Sequence, residues 1–205
     1  ASAIKNPEVK MTFSRAGKEV EVKLHTVTYA QVKNWLYNEW EDTNRALVDR
    51  LGDGQIAYTH MRDMGSEELN EFLKDMHTRT LGKKAIIIDL RYNNGGNVHN
   101  EVLEFLSQKA HYQWAYRDFP SNSHPNVTPG DIPIIALVNE RSLSDAEVTS
   151  NGIQTLGLAT IVGTETYRWI IFTSGTTLLD GSYLRLPAWG CYSLDGKDLE
   201  STGAK

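Results

Sequence analysis

The sequence lacks the cysteines that stabilising bridges or metal clusters require. Its one cysteine, Cys191, excludes an internal disulfide bond and a zinc site built from several thiolates. It also lacks an apolar run near the length that a membrane-spanning helix needs, which is about 18 residues. Basic residues are outnumbered 21 to 26 by acidic ones, and the net charge of -5 disfavours a protein that reads nucleic acid through a basic surface.

What the sequence does contain is typical of a soluble globular protein. Apolar residues make up 40% of its 205 residues, enough for a real core, and we expect one large domain or one domain with an appendage. The chain opens ASAIKNPEVK, without an initiator methionine or an apolar signal core, so we expect a fragment of a longer protein. Its compartment stays open: extracytoplasmic if a signal peptide precedes the fragment, and cytoplasmic otherwise.

The hydrophobic pattern predicts an α/β fold. Residues 9–26 alternate polar and apolar side chains around Ala16-Gly17, which is typical of a β-hairpin. Between residues 84 and 164, buried-strand runs alternate with helical segments. This alternation predicts right-handed βαβ crossovers and a mostly parallel core sheet.

Smaller signals predict individual caps, loops and turns. Ser66 is predicted to cap the helix that follows it. A stretch rich in Pro, Ser and Asn predicts a mobile loop over residues 115–131. Asp-Gly pairs in 178-LLDGSYLRL-186 and 192-YSLDGKDL-199 predict two further hairpin turns.

The segment 139-NERSLSDAEV-148 lies between a predicted buried strand and a predicted helix. Ser144 and Glu147 fit the capping box S-x-x-E, and helix capping is the commoner role of such a pair. A nucleophile would occupy the same place, because ligands of open α/β sheets bind at the carboxyl ends of the strands. Main-chain N–H groups at the helix start can stabilise an oxyanion there. Capping and nucleophilic attack are therefore competing uses of one hydroxyl.

The segment 89-DLRYNNGGNV-98 follows another predicted strand. A glycine-rich turn before a helix is the commoner explanation of such a segment. It does not fit the Walker phosphate loop, because no Gly-Lys-Ser/Thr follows. The adjacent glycines free a main-chain N–H to approach a substrate. Two parallel strands that each end in such a turn could build one oxyanion hole between them.

A serine nucleophile also needs a general base, and the chain offers six histidines. These are His25, His60, His77, His99, His111 and His124. His60 ends a predicted strand and precedes a turn, which suits a fixed imidazole, although a surface or packing role is commoner for any single histidine. No local spacing identifies the group that would orient the base.

Taken together, these segments resemble the C-terminal processing peptidases, family S41. DLRYNNGGN, then IPIIALVNERSLSDAEV, then TIVGTETY follow the order of that family's core, with its D-x-R-x-N-x-G-G turn and its S-x-S-[AD]-x-E segment. One branch of the family uses a Ser-Lys dyad. Here Trp169 falls at the position of that lysine. The neighbouring Arg168 cannot replace it, because a guanidinium does not lose its proton at working pH. A Ser-Lys mechanism is therefore disfavoured.

The tricorn-like branch is similar at three further segments, which are 39-EWEDTNRALVDRLGDG-54, 57-AYTHMRDM-64 and 190-GCYSLDGKDLESTG-203. The likeness covers roughly residues 30–203. It implies a mostly parallel, crotonase/ClpP-like catalytic core. Arg62 stands where that branch usually has proline, and Ser201 where it has asparagine.

The resemblance implies a serine peptidase that hydrolyses peptide bonds by acyl transfer, with no metal and no cofactor. It assigns Ser144 as nucleophile, His60 as general base, Thr59 and Glu200 as the groups that orient the base, and the N–H groups of Gly96 and Asp145 as oxyanion donors. Thr59 stands where tricorn itself has a serine. It keeps the hydroxyl and adds a methyl group.

The resemblance also predicts how the chain is divided and what it binds. Residues 1–28 are interpreted as the remnant of a preceding PDZ-like domain or linker, because MTFSRAGKEVEVKLH resembles the last strands of such a domain. Residues 29–205 are interpreted as the catalytic domain. The expected partner is a peptide or unfolded protein substrate, with neither nucleic acid nor a membrane span, and a homo-oligomer is left open.

Two alternatives remain at this point. The chain could be a catalytically silent scaffold of the same fold, especially since the Arg and Trp of TYRW stand where the family often has small residues. It could also be a crotonase-like enzyme of CoA thioesters, because that fold pairs glycine-turn N–H groups as an oxyanion hole. The thioester alternative leaves Ser144, His60 and Glu200 without a role.

Overall fold

The computed structural model describes residues 8–124 and 132–204. The chain divides into two compact units, Ala1–Ala46 and Leu47–Lys205. The described part of the first unit contains β1 (Glu8–Arg15), β2 (Lys18–His25) and most of α1 (Tyr29–Leu51). Because α1 continues past Ala46, the last residues of this helix belong to the second unit.

The two strands of the first unit form an antiparallel hairpin. Arg15 pairs with Lys18, so Ala16 and Gly17 alone make the turn. Both turn residues have positive φ, 51° and 75°, as a two-residue type I′ turn requires. The predicted hairpin is confirmed. The first seven residues of the predicted 1–28 segment lie outside the described residues.

The second unit contains the parallel sheet and its helices. In chain order, its described elements are β3 (Ile56–His60), α2 (Ser66–Thr78), β4 (Ala85–Asp89), α3 (His99–Ser107), β5 (Tyr112–Trp114), β6 (Asn122–His124), β7 (Ile134–Val138), α4 (Asp145–Thr155), β8 (Thr160–Gly163), β9 (Ile171–Thr177), β10 (Tyr183–Gly190) and α5 (Leu199–Thr202).

Four strands form the central sheet in the order β3-β4-β7-β8, and every neighbouring pair is parallel. Each strand is joined to the next by a segment that contains a helix: α2, then α3, then α4. The predicted parallel sheet with βαβ crossovers is therefore confirmed. All four carboxyl ends lie at one edge, and the ends of β3 and β7 flank the end of β4.

The core lies between this sheet and its helices. β4 buries Ile86 and Ile88, and α2 and α3 meet through Phe72 and Phe105, whose rings pack edge to face at 5.9 Å between centroids. Ile153 of α4 belongs to the same buried cluster. Burial of each such side chain stabilises the fold by about 1.5–3 kcal/mol, so packing fixes the strand ends that carry the polar turns.

Two local predictions need correction. The residue that caps α2 is Gly65, and Ser66 is already helical. The reason is that Asp63 starts the turn: its carboxylate accepts the Gly65 N–H at 2.8 Å. The stretch 115–131 is not wholly a loop either, because Asn122–His124 pairs with Tyr112–Trp114 as a short hairpin. Residues 125–131 of that predicted loop lie outside the described residues.

The hairpin turns predicted from Asp-Gly pairs are confirmed. β9 and β10 pair antiparallel around Asp180-Gly181. Around Asp195-Gly196, the Ser193 N–H donates to the Lys197 carbonyl oxygen at 2.9 Å. Within the described ranges, no helix combines the length and the apolar character needed to cross a bilayer.

Candidate active site

Three polar turns meet at the carboxyl edge of the sheet, and main-chain hydrogen bonds join them. The Met64 N–H, after β3, donates to the Gly95 carbonyl oxygen at 2.9 Å. The Leu143 N–H, after β7, donates to the Asn93 carbonyl oxygen at 3.1 Å. The glycine turn that follows β4 is thus bonded to the segment after His60 and to the segment before Ser144. These bonds bring residues far apart in sequence to one edge.

His60 is the last residue of β3 and is almost fully buried, with 6% of its surface exposed. Its Nδ1 lies 2.8 Å from the carbonyl oxygen of Asp89. A carbonyl oxygen only accepts hydrogen bonds, so Nδ1 carries the proton. In the neutral ring the basic nitrogen is then Nε2. The group that orients the imidazole here is therefore a main-chain oxygen, which sequence reasoning did not identify.

The strand end that holds His60 is itself fixed by a buried ion pair. Asp89 is fully buried and accepts from the Tyr58 hydroxyl at 2.8 Å and from the Arg91 guanidinium at 2.5 Å. Hydrogen bonding to Asp89, followed by the charge of that carboxylate, raises the pKa of Arg91 above its usual value, against the lowering effect of burial. A carboxylate satisfied in this way keeps the end of β4 in one position.

Ser144 adopts a strained main-chain conformation at the start of α4, with φ 56° and ψ -119°. A non-glycine residue in such a region costs about 1–3 kcal/mol, and such strain concentrates at functional sites. Glycine is the residue that would relieve it. Ser144, which immediately precedes α4, is half-buried at this turn.

The predicted capping box is present, but its two arms are unequal. The Ser144 N–H donates to Glu147 Oε2 at 2.9 Å. The Glu147 N–H makes its 2.9 Å hydrogen bond to the Ser144 carbonyl oxygen, and the Ser144 hydroxyl makes no close cap bond. The Glu147 arm is therefore the closer of the two, and the Ser144 hydroxyl is the looser partner of the capping box.

Glu147 does more than close the box. It is fully buried, and besides Ser144 it accepts from the Thr166 hydroxyl at 2.7 Å, the Arg168 N–H at 2.7 Å and the Trp169 N–H at 2.8 Å. Four donors satisfy its two oxygens. This one carboxylate thus fixes the serine turn and the segment 166–169 to each other, a role that the capping motif alone did not predict.

The two glycines after β4 pack against the neighbouring turns too closely for a side chain. A Cβ on Gly95 would lie 2.6 Å from Ser144 Cβ and 3.1 Å from Ser144 Oγ, and Gly95 has φ +77°. A Cβ on Gly96 would lie 2.1 Å from the Met64 carbonyl oxygen. Only glycine fits at these two positions, and Gly95 is directly against Ser144.

Two main-chain N–H groups beside Ser144 have no acceptor within the described ranges: those of Gly96 and Asp145. Each belongs to a residue adjacent to the Gly95–Ser144 contact. Asp145 is buried and lies in the first turn of α4, where N–H groups lack an intrahelical acceptor, whereas Gly96 is exposed. Both donors are therefore available to a ligand atom.

The Asp145 side chain, in contrast, is fully used in structure. Its Oδ2 accepts the Val98 and His99 N–H groups at 2.8 and 3.1 Å, and its Oδ1 lies 2.5 Å from His99 Nδ1. The carboxylate thereby joins the start of α3 to the start of α4. His99 belongs to this structural pair.

Thr59 and Glu200, the two residues predicted to orient His60, are not hydrogen-bonded to each other among the described residues. Thr59 is 3% exposed, and its hydroxyl has no hydrogen-bond partner among the described residues. Glu200 lies half-buried in α5, with its N–H bonded to Asp198 Oδ1 at 3.0 Å. The structure therefore does not join Thr59 to Glu200 by a hydrogen bond. Nor does the Ser144 hydroxyl bond to another side chain in residues 8–124 and 132–204, His60 included.

A cleft of about 180 Å³ opens beside Ser144. It is lined by Asn94, Leu143, Ser144, Trp169, Ile171 and Arg185. Within the described part of the chain, no group of three or more His, Cys, Asp or Glu side chains could hold a metal ion. The described chemistry of this edge consists of a strained serine, a buried imidazole with a fixed tautomer, two open main-chain donors and an adjacent cleft.

Comparison with known proteins identifies the family of this chain. The sequence model of peptidase family S41 matches residues 54–205. The tricorn protease of Thermoplasma acidophilum is 31% identical over 170 residues, which are 82% of this chain but 16% of that protein. The carboxy-terminal processing protease CtpA of Bacillus subtilis is 24% identical over 98% of this chain and 42% of its own length.

Solved structures agree on the fold. The crystal structure of the tricorn protease superimposes with a TM-score of 0.72 at 25% identity, over 93% of this chain and 19% of that one. A photosystem II D1 C-terminal processing protease superimposes with a TM-score of 0.59 at 18% identity, which shows the fold alone. This chain therefore spans only a small part of the length of the tricorn proteins that it resembles. Because the family model covers most of the chain, the chain belongs to peptidase family S41.

Proposed function

We propose that this chain hydrolyses peptide bonds with Ser144 as nucleophile and His60 as general base, acting on peptides or unfolded proteins. The observation that carries the proposal is the Ser144 turn. The strained serine contacts Gly95, and the N–H groups of Gly96 and Asp145 beside it have no acceptor among the residues that the structure describes. A pair of open donors at a nucleophile supports an oxyanion hole, where each donor contributes on the order of 10²–10³-fold to the rate.

In the proposed reaction, His60 Nε2 takes the proton of the Ser144 hydroxyl while Ser144 Oγ attacks the peptide carbonyl. The negative charge that forms on the carbonyl oxygen is stabilised by the N–H groups of Gly96 and Asp145. The imidazolium then gives its proton to the leaving amine, and water releases the acyl group by the same steps. A positioned base contributes about 10²–10⁴-fold.

The tautomer of His60 supports this assignment, because Nδ1–H bonded to Asp89 leaves Nε2 as the acceptor. The base and the nucleophile are not hydrogen-bonded in this structure. Catalytic hydrogen bonds are often loose without substrate and tighten in the Michaelis complex. The proposal therefore requires the two side chains to come within hydrogen-bond reach of each other when substrate binds.

The direct test is labelling with a fluorophosphonate probe, which reacts with activated serines. We expect covalent modification of Ser144, its loss in Ser144→Ala, and a rate about 10²–10⁴-fold lower in His60→Asn. Ser107→Ala is the matched control, since it removes an exposed hydroxyl that bonds only to Leu103 O at the end of α3. An intact fold with no labelling would instead favour a catalytically silent scaffold.

The orienting pair is a separate part of the proposal. We propose that Glu200 approaches the Thr59 hydroxyl in the substrate-bound state and thereby strengthens His60 as a base. Thr59→Val tests this because it deletes a buried hydroxyl without a partner, so stability should hold or rise by about 1 kcal/mol. We expect kcat to fall in Thr59→Val and to be kept in Thr59→Ser. A valine variant with unchanged kcat would show that the Thr59 hydroxyl does not orient His60.

Two coarser assignments stay proposals. We propose a crotonase/ClpP-like arrangement of the catalytic core, which the parallel order β3-β4-β7-β8 supports. We also propose that residues 29–205 are the catalytic domain and residues 1–28 the remnant of a PDZ-like domain or linker. Deletion of residues 1–28 tests that division, since a catalytic domain complete in itself should keep its fluorophosphonate labelling.

A further inference from the structure

The cleft beside Ser144 contains one charged side chain, that of Arg185, among the described residues that line it. Arg185 lies on β10 and is held by the neighbouring strand β9, where Thr173 Oγ1 accepts a hydrogen bond from Arg185 Nε at 2.7 Å. This bond fixes one edge of the guanidinium. It leaves the two terminal nitrogens to face other groups.

Those terminal nitrogens have no partner in residues 8–124 and 132–204, where Arg185 makes no ion pair and no second hydrogen bond. Two other arginines near the site, Arg91 and Arg168, differ in this respect. Arg91 is paired with Asp89 at 2.5 Å, and Arg168 with Glu165 at 2.8 Å. A guanidinium with a free planar fork matches the two oxygens of a carboxylate, which it binds through parallel hydrogen bonds.

The rest of the cleft suits the same ligand. Leu143, Trp169 and Ile171 give the cleft apolar walls, while Arg185 itself is exposed, so a charge pair here would be partly screened by water. The side-chain amide of Asn94 adds N–H donors and no negative charge. No lining residue in the described chain would repel an anion.

We propose that this cleft is a subsite for a carboxylate of the substrate, so that Arg185 gives a preference for an anionic group next to the scissile bond. The carboxylate belongs either to an Asp or Glu side chain or to the terminus of the peptide itself. The inference rests on the proposed function, because the cleft is a substrate subsite only if Ser144, in its wall, is the nucleophile.

The experiment compares fluorogenic peptides in one sequence frame. In the first arm, the residue next to the scissile bond is Glu or the isosteric Gln, and every peptide has an amidated terminus. In the second arm, the Gln peptide carries a free terminal carboxylate close to the bond. We expect one arm to show a kcat/KM about 2- to 5-fold higher for the carboxylate peptide, because a pair with an exposed arginine contributes up to about 1 kcal/mol. The arm that does so identifies the source.

Variants at Arg185 complete the comparison. Arg185→Met should remove the preference, and Arg185→Lys should keep part of it, because an ammonium has the charge but lacks the fork. Lys74→Met is the matched control, as it deletes an exposed charge on α2 that pairs only with Glu71. If Arg185→Met does not fold, a lysine variant with an undiminished preference would still overturn a role for the guanidinium fork.

The outcomes separate the two proposals. Equal cleavage of carboxylate and amide peptides in both arms, by an enzyme that the fluorophosphonate labels, overturns the subsite and leaves the peptidase proposal intact. If no peptide is cleaved and Ser144 is not labelled, the peptidase proposal fails. Fluorescence polarisation of the same peptides on Ser144→Ala then tests carboxylate binding apart from catalysis: tighter binding of the carboxylate peptides, lost with Arg185→Met, supports a carboxylate site in the cleft, and equal binding overturns it.

Discussion

Replacing the buried Glu147 by glutamine should destabilise the protein and slow its chemistry. The carboxylate accepts the N–H groups of Ser144, Arg168 and Trp169 and the hydroxyl of Thr166. Glutamine has the same shape but one acceptor oxygen. Whichever way its amide is turned, at least one main-chain N–H that Glu147 accepts would then face another donor.

The size of the effect follows from two opposing terms. Four hydrogen bonds to a charged acceptor contribute about 1.5–3 kcal/mol each, whereas bonds to a neutral amide contribute about 1 kcal/mol each. Removing the charge returns part of its desolvation penalty, which is several kcal/mol for a buried ion. The hydrogen-bond term is larger, and we expect a net loss of about 3 kcal/mol. For a chain of this length that lowers Tm by about 6–12 °C.

The assay is urea denaturation followed by tryptophan fluorescence, together with the rate of fluorophosphonate labelling measured well below Tm. We expect labelling to slow by about 10²-fold, because the turn that positions Ser144 is loosened. Glu140→Gln is the matched control. It makes the same chemical change at an exposed residue of the same loop, whose carboxylate bonds Thr164.

One result would refute the reasoning. If Glu147→Gln unfolds within about 0.5 kcal/mol of Glu140→Gln, the spread expected of ordinary surface substitutions, then the buried carboxylate does not hold the turn together. Unchanged labelling in a clearly destabilised Glu147→Gln would separate the two claims, since stability would depend on the network and the position of Ser144 would not.

Three further predictions concern the same turns and the cysteine. Ser144→Gly should be about 1 kcal/mol more stable than Ser144→Ala in thermal denaturation, since both lack the nucleophile and only glycine relieves the positive φ; equal stability would mean that the turn is not strained. Gly95→Ala should abolish fluorophosphonate labelling, because its Cβ would lie 2.6 Å from Ser144 Cβ, whereas Gly157→Ala, with similar φ and open space, should keep it; labelling retained in both variants would contradict this packing. Burial, and secondly the charge of Asp198, raise the pKa of the Cys191 thiol, so iodoacetamide should alkylate it with a midpoint at higher pH than in the urea-unfolded chain. Asp198→Asn should lower that midpoint only in part, because burial is the larger cause, and an unshifted midpoint in the folded wild type would count against the prediction.

The sheet and the turns could be predicted because their signals are local. Runs such as AIIIDL and IPIIALV, separated by helical segments, dictate parallel crossovers, and Asp-Gly or Ala-Gly pairs dictate turns. The N-cap of α2 was missed by one residue for a physical reason. Asp63 competes with Ser66 for the role of starting the turn, and no propensity scale decides between two good capping residues.

The site could be predicted only as far as motifs extend. The strained turn at Ser144 and the close glycines at 95 and 96 follow from the segments that contain them. The Asp89 carbonyl beside His60 could not be found, because any residue supplies a carbonyl oxygen and only the strand register 60↔89 places it there. The sequence could not identify Arg185 as a cleft residue for a similar reason, because its place in the cleft depends on how the β9–β10 hairpin packs.

The carbonyl oxygen that holds His60 also bears on how this site tolerates genetic drift. Because the oxygen belongs to the main chain, no change of side chain at residue 89 deletes it. An imidazole anchored in this way keeps its orientation while residues 59 and 200 vary. Replacements at these two positions should therefore lower kcat in part rather than abolish activity. Proteins with such replacements would therefore remain active, and natural selection could still improve their activity.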